Sequence, residues 1–303
     1  MAIGAFDAQT SRFLNDIGRI AQRLEKAQLQ ITSGRKINVV SDSPDQISHL
    51  LATRSQLSAT QQIHSNLDRV KGEVDAAEGA LSQAVSIVDR ISTLGTQGAT
   101  DTISADGRAS LADEIGSLLE QLVNIAATKV DGRYVFSGDT DTTAPYTSDL
   151  GTDPPYSVYQ GAASSRKIEH PSGARIQVSL TADEIFDDPD QNKSVFASVN
   201  DLRKALLSND TQQVKDALGR VLYSNTHLNN KLAFYGSAQN QVAEGQNVAF
   251  KQELRLKNEI SSIEDADLTE AILELNQAQL QQSAALGAQA QIRNKRTLLD
   301  YLG

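Results

Sequence analysis

Apolar residues near both ends of the chain recur at coiled-coil spacing. Phe13, Ile17, Ile20, Leu24, Ala27 and Ile31 follow one another at intervals of 4, 3, 4, 3 and 4, the repeat of one strand of a coiled coil. A second seam starts at Leu268, Ile272 and Leu275 and runs more weakly to Leu286. A helix with one apolar stripe needs a partner. The two ends are therefore expected to pair with each other, or with the ends of other copies.

Between them the same periodicity predicts long helices. The first helix spans about Thr10 to Thr32, and Gly34 suits the left-handed position that closes a helix. An extended stretch from Lys36 to Val40 follows. Asp42 or Ser43 then caps a helix over about 45–98, with Pro44 tolerated in its first turn. Leu67, Val70, Val74, Ala77, Leu81, Ala84, Val88 and Ile91 form its seam, and its length would be about 80 Å. The segment Gly95 to Thr102 reads as a break. Ser104 caps a third helix with Leu111, Ile115, Leu118, Leu122 and Ile125 on one face. Helix resumes over 198–207 and 211–263, with Gly236 and Gly245 as weak points, and again from Leu268 to about Tyr301.

Proline places the exception. Five of the six prolines fall between Pro145 and Pro189, and proline breaks helix interiors. Tyr134, Tyr146, Tyr156 and Tyr159 cluster in or beside the same region. Strands are expected at Tyr134–Phe136, Tyr156–Gln160, Arg166–His170 and Arg175–Leu180, with a hairpin turn at Pro171–Ala174 between the last two. The fold class is mainly α: a long antiparallel helical rod or coiled coil, its terminal helices paired at one pole and a small β insertion at the other. Three parts are expected: a terminal coiled coil of residues 1–45 and 265–303, a helical body of 46–130 and 190–264, and a β-rich module of 131–189.

Charge sharpens this division. The net charge is −10, which argues against non-specific nucleic-acid binding. It resides almost wholly in residues 46–267. Residues 1–45 and 268–303 are close to neutral, as fits ends packed against protein. Cysteine is absent, which excludes disulfides, thiolate metal sites and a cysteine nucleophile. No apolar run is long enough to span a bilayer, and the first residues lack the pattern of a cleaved signal peptide.

Candidate chemistry is sparse. His49, His64, His170 and His227 are far apart in sequence, so the spacing of a metalloprotease helix is missing. No glycine-rich phosphate loop and no nucleophile elbow occur. Asp139, Asp141 and Asp149 admit weak cation binding, but loop solubility accounts for them. The expectation is a protein that is not an enzyme and needs no cofactor or metal.

Three stretches carry a resemblance. Gln30–Pro44 (QITSGRKINVVSDSP) and Ser261–Ala271 (SSIEDADLTEA) resemble the N- and C-terminal signatures of the flagellin family. Thr128–Gly138 (TKVDGRYVFSG) is similar to that family's entry into its outer domain. Ser41–Pro44, the ending Leu298–Leu302 and the small single insertion look more like the hook-associated branch of the family than like filament flagellin. The resemblance implies a secreted, extracellular structural protein of the bacterial flagellum. It would act as an adaptor at the hook–filament junction and leave the cell through type III export with its ends unfolded. Implied partners are further copies of itself, another hook-associated protein, flagellin, and a cytoplasmic export chaperone on the C-terminal helix. The assembly surface would comprise Phe13, Ile17, Ile20, Leu24, Ile31, Leu268, Ile272, Leu275, Leu298 and Leu299. The residues alone leave two alternatives open, filament flagellin and a secreted coiled-coil binding module.

Overall fold

The computed structural model describes residues 2–149, 151–190 and 193–294. In chain order it contains α1 (Ala2–Ser33), α2 (Pro44–Gly98), α3 (Ala105–Ala126), β1 (Lys129–Val130), β2 (Arg133–Tyr134), β3 (Lys167–Glu169), β4 (Arg175–Gln177), α4 (Ala182–Phe186), α5 (Val195–Leu207), α6 (Thr211–Glu264) and α7 (Leu268–Asn294). The fold is mainly α with a small β insertion, as the periodicity predicts. Both sheets have two antiparallel strands: Lys129 faces Tyr134, and Ile168 faces Ile176. The chain forms two compact units, Met1–Ala59 with Gln252–Gly303 and Thr60–Lys251.

The Thr60–Lys251 unit holds the large core. Leu67, Val74, Ala77, Leu81, Ala84, Val88 and Ile91 of α2 are all buried in it, as their spacing requires. In α3 the inward face is rotated from the predicted one. Ala112, Ile115, Leu119, Leu122 and Ala126 are buried, whereas Leu111, Leu118 and Ile125 lie only partly covered at its edge. Alanines pack inward here because they let the helices approach closely.

The helix α2 ends at Gly98, as predicted, inside the stretch Gly95–Thr102 that reads as a break. Both glycines are notches for α5. A Cβ on Gly95 would lie 2.9 Å from Leu202 Cδ2, and one on Gly98 would lie 2.2 Å from Leu206 Cδ2. Ser104 caps α3 as expected, its Oγ accepting from Gly107 N at 3.2 Å. Arg108, buried in the first turn of α3, clamps this end of the unit. Its Nε donates to the Gly98 carbonyl at 3.0 Å and one terminal nitrogen to the Thr100 carbonyl at 2.9 Å. The other terminal nitrogen donates to Asn209 Oδ1 between α5 and α6.

The insertion is less strand-like than its tyrosines suggest. The hairpin of β3 and β4 forms at the predicted turn, where Gly173 takes a φ of 84°. Tyr156–Gln160 makes only a single bridge, Ser148 to Tyr156, instead of a strand. Its aromatics serve the shared core. Phe186 stacks on Phe196 with centroids 5.3 Å apart, Phe136 meets Phe186 and Tyr235 edge-on, and Tyr146 meets Phe196 at 5.1 Å. The Tyr235 hydroxyl accepts the Leu180 amide at 3.0 Å. A hydrophobic residue that must reach helix-borne rings cannot also keep strand alternation, and α4, capped at Thr181, is built by the same demand. Arg166 ties the β3 end to α2 through Glu73 at 2.7 Å, and Asp141 lies 3.3 Å from the same guanidinium. Asp141 is thus an ion-pair partner, and Asp149 accepts the Gly151 amide. Among the described residues no group of histidines and carboxylates is placed to hold a metal ion.

One carboxylate works against this packing. Burial pushes the Asp187 carboxyl above its ordinary range and the Asp183 charge adds to this, while the Ser194 hydroxyl, donating at 2.9 Å, opposes it. The folded state then holds the Asp187 proton more tightly than the unfolded chain does. The stability from this group is full below the ordinary value of 3.8 and is lost as pH rises through the folded value. Asp187→Asn keeps an acceptor for Ser194. It is expected to raise the melting temperature at pH 7, with the advantage closing below pH 4, as thermal melts across that range would register. A variant less stable than the parent at pH 7 would refute this account of Asp187.

Candidate assembly site where the terminal segments meet

The two signature stretches come together in the unit formed by Met1–Ala59 and Gln252–Gly303. Gly34, with φ 69°, ends α1, and its amide donates to the Gln30 carbonyl at 2.9 Å. A side chain would be strained in that left-handed conformation. The turn presents the Gly34 carbonyl to the Ala266 amide at 3.0 Å and the Lys36 amide to the Glu264 carbonyl at 2.5 Å. Arg35 and Asp265 thus form a short antiparallel bridge. Asp267 caps α7, its Oδ1 accepting the amides of Thr269 and Glu270.

Side chains lock this bridge. Glu264 is buried and lies between two cations, with Arg35 Nε at 2.9 Å and Arg54 of α2 on its other oxygen. Asp42 closes the loop after Gly34 by accepting the amides of Asn38 and Val39 at 2.9 and 3.0 Å. Partial burial pushes the Asp42 carboxyl up, but the two amides and Lys26 outweigh it and hold it below its ordinary range. The predicted extended stretch is therefore a capped loop that ends in a 3-10 turn at Val40–Asp42, with Ile37 buried.

Beyond the bridge α1 and α7 pack antiparallel. Arg23 of α1 donates to Glu274 Oε1 at 2.6 Å and to Gln281 Oε1 at 3.0 Å, and its charge draws the Glu274 carboxyl down. These contacts and the Gly34–Ala266 bond fix the register. Residue pairs whose numbers sum to about 302 share a layer. Ile31 then stands opposite Ala271, Leu24 opposite Ala278, Ile17 opposite Ala285, and Ala27 opposite Leu275 (a large residue against a small one in each layer).

The α1 seam is the predicted one. Phe13, Ile17, Ile20, Leu24 and Ile31 are half-buried and Ala27 is buried. The α7 seam is not. It runs through Ala271, Leu275, Ala278, Gln282, Ala285 and Gln289, each buried or half-buried. Leu268 and Ile272 are exposed: Leu268 is in phase with Leu275 but sits at the first residue of α7, where α1 has already ended, and Ile272 lies one position round from Ala271. Leu298 and Leu299 lie outside the described residues. Sequence reasoning passed over Glu264, Arg35, Arg54 and the alanines. Alanine at 271, 278 and 285, every seventh position, was the signal available for the last.

The seam is thin. Among the described residues of α1 and α7 only Ala27, Ala271 and Ala278 are buried, and an alanine methyl contributes about 0.8 kcal/mol at most. Isolated helices are marginal in water, so this pair stands far below the other unit in hydrophobic stabilisation. No helix among the described residues is long and apolar enough to cross a membrane.

The chain is similar to bacterial flagellar proteins. The bacterial flagellin N-terminal helical region matches residues 7–141, and the bacterial flagellin C-terminal helical region matches residues 218–302. Flagellar hook-associated protein 3 of Escherichia coli is 29% identical over 159 residues, which are 52% of this chain and 48% of that protein. The match therefore spans about half the length of that relative. Flagellar hook-associated protein 3 of Salmonella typhimurium is 25% identical over 273 residues, 84% of this chain and 86% of that protein. A solved putative flagellar hook-associated protein from Vibrio parahaemolyticus has a similar fold, with a TM-score of 0.65 over 74% of this chain and all of that one at 19% identity.

Proposed function

The chain belongs to the flagellin family, and on that premise we propose that it is a structural adaptor at the junction between flagellar hook and filament. The observation that carries this reading is the terminal pair. Its two helices are joined by the Gly34–Ala266 bridge, yet its seam buries only alanines. Such a pair gains its stability from neighbours, so the ends order on assembly and the chain can travel unassembled. The terminal segments 1–45 and 265–303 act as the assembling part. Head-to-tail contacts that do not close on themselves extend a helical tube.

Partners follow from this position. Copies of the same chain stand beside it, another hook-associated protein on the hook side and flagellin on the filament side. Before export a cytoplasmic chaperone covers the apolar face of α7. The chain reaches the outside through the flagellar export channel. A hook-associated protein 3 matches over 84% of this chain, whereas several flagellins match over 34% to 40% of it, which supports the junction over the filament.

Deleting the chain tests the proposal. Cells without it are expected to build hooks of normal length that bear no filament, while flagellin accumulates in the medium. Filaments of normal number and length on such cells would rule the adaptor role out.

A further inference from the structure

Tyr146 stands out among the rings of the insertion. It is 2% exposed, and its ring meets Phe196 edge-on and lies 5.7 Å from Tyr159. The neighbouring phenols are bonded to backbone: Tyr159 donates to the Ala162 carbonyl and Tyr235 accepts the Leu180 amide. The Tyr146 hydroxyl is buried and has no hydrogen-bond partner among the described residues, and neither has Asp183 Oδ1. Folded proteins rarely leave such groups unpaired, because a buried polar atom without a partner is costly. The two belong to one place. Burial, and then the charges of Asp187 and Asp183, push the Tyr146 phenol up, so its hydroxyl lies beside these carboxylates. Asp183 and Asp187 are one helical turn apart, the Asp187 amide donating to the Asp183 carbonyl at 3.1 Å, and residues four apart share a helix face. Ser194 engages Asp187 Oδ1 at 2.9 Å, which leaves Oδ2 as a second acceptor.

We propose that one internal water joins these groups, accepting the hydrogen of Tyr146 Oη and donating one hydrogen to Asp183 Oδ1 and the other to Asp187 Oδ2. One donor facing two acceptors is the complement of a water molecule, and internal waters typically make about three hydrogen bonds. A direct bond from the phenol would satisfy one carboxylate and leave the other without a donor. A metal ion would need further ligands, and among the described residues no third carboxylate or histidine joins this pair. The bridge ties the insertion to α4 by a directional contact. Tyr146 lies where the insertion has little backbone pairing of its own, the nearest being the single bridge from Ser148 to Tyr156. Ring packing alone would hold Tyr146 in the core without fixing where its hydroxyl points.

The test uses the full chain. Oxygen-17 relaxation dispersion counts the waters held inside a protein for longer than it tumbles, and Tyr146→Phe is expected to hold one fewer than the parent. The same substitution should raise the unfolding equilibrium constant about fivefold, because the water loses its anchoring donor and both carboxylates lose the bridge. A hydroxyl buried without a partner predicts the reverse sign, since phenylalanine then removes only a group that is costly to desolvate. A double-mutant cycle with Asp183→Ala isolates the bridge from other effects of each substitution. The combined loss should fall short of the product of the two single losses by about threefold or more in equilibrium constant. A Tyr146→Phe chain at least as stable as the parent, an unchanged number of internal waters, or independent losses in the cycle would each overturn the bridge.

Discussion

Aspartate in place of Ala278 is expected to remove the chain from assembled flagella, lowering its recovery at least a hundredfold, while the Thr60–Lys251 unit stays folded. Ala278 is fully buried and stands opposite Leu24. Arg23, one residue from Leu24, is already engaged by Glu274 and Gln281 and would have to leave them to pair with a carboxylate there. Burying an unpaired ion costs several kcal/mol. The seam has little to set against that, since it fully buries only three alanines and leaves its larger apolar side chains half-exposed. The pair opens before the charge is buried. Immunoblots of isolated flagella would measure the loss, and thermal melts would show the second unit unchanged. Recovery of Ala278→Asp at the parent level would mean that α1 and α7 do not pair this way in the assembly.

Removing Arg108 should destabilise the Thr60–Lys251 unit by about 2 kcal/mol. Arg108→Ala leaves the buried Gly98 carbonyl without this donor and breaks two part-buried bonds, to the Thr100 carbonyl and to Asn209 Oδ1, whose residues are themselves exposed. For a unit of this size that lowers the melting temperature by about 5 °C. Arg108→Lys should restore only part, because one ammonium cannot reproduce a fork that reaches three acceptors. Calorimetry of both variants would measure this. A loss under about 1 kcal/mol for alanine would show that water replaces the guanidinium at no cost.

These two residues also mark where the sequence was legible. The seams of α1 and α2 could be read because leucine, isoleucine and valine mark them without help from structure. Pro44, Ser104 and Gly34 placed helix ends within a residue or two, since each acts through its own backbone. The seam of α7 could not be read the same way. Leu268, Ile272 and Leu280 look like a core and lie outside, while the inward alanines look like filler. Only the helix opposite decides between them, and its residues are about 250 positions away in the chain. Arg108 gave no signal at all, since a buried arginine and a surface one are written identically. Tyr156–Gln160 misled for a related reason: an aromatic that favours strands locally was recruited into a core of rings from α4, α5 and α6. The junction was legible as two motifs in Gln30–Pro44 and Ser261–Ala271. That Glu264 binds Arg35 of the first and Arg54 of α2 required the fold.

The position of the chain along the flagellum tests the adaptor role most directly. Antibody against the Thr60–Lys251 unit, imaged with gold on intact flagella, is predicted to label a single narrow band where hook meets filament, with few copies per flagellum. Label distributed along the filament would make the chain a filament subunit and contradict the account.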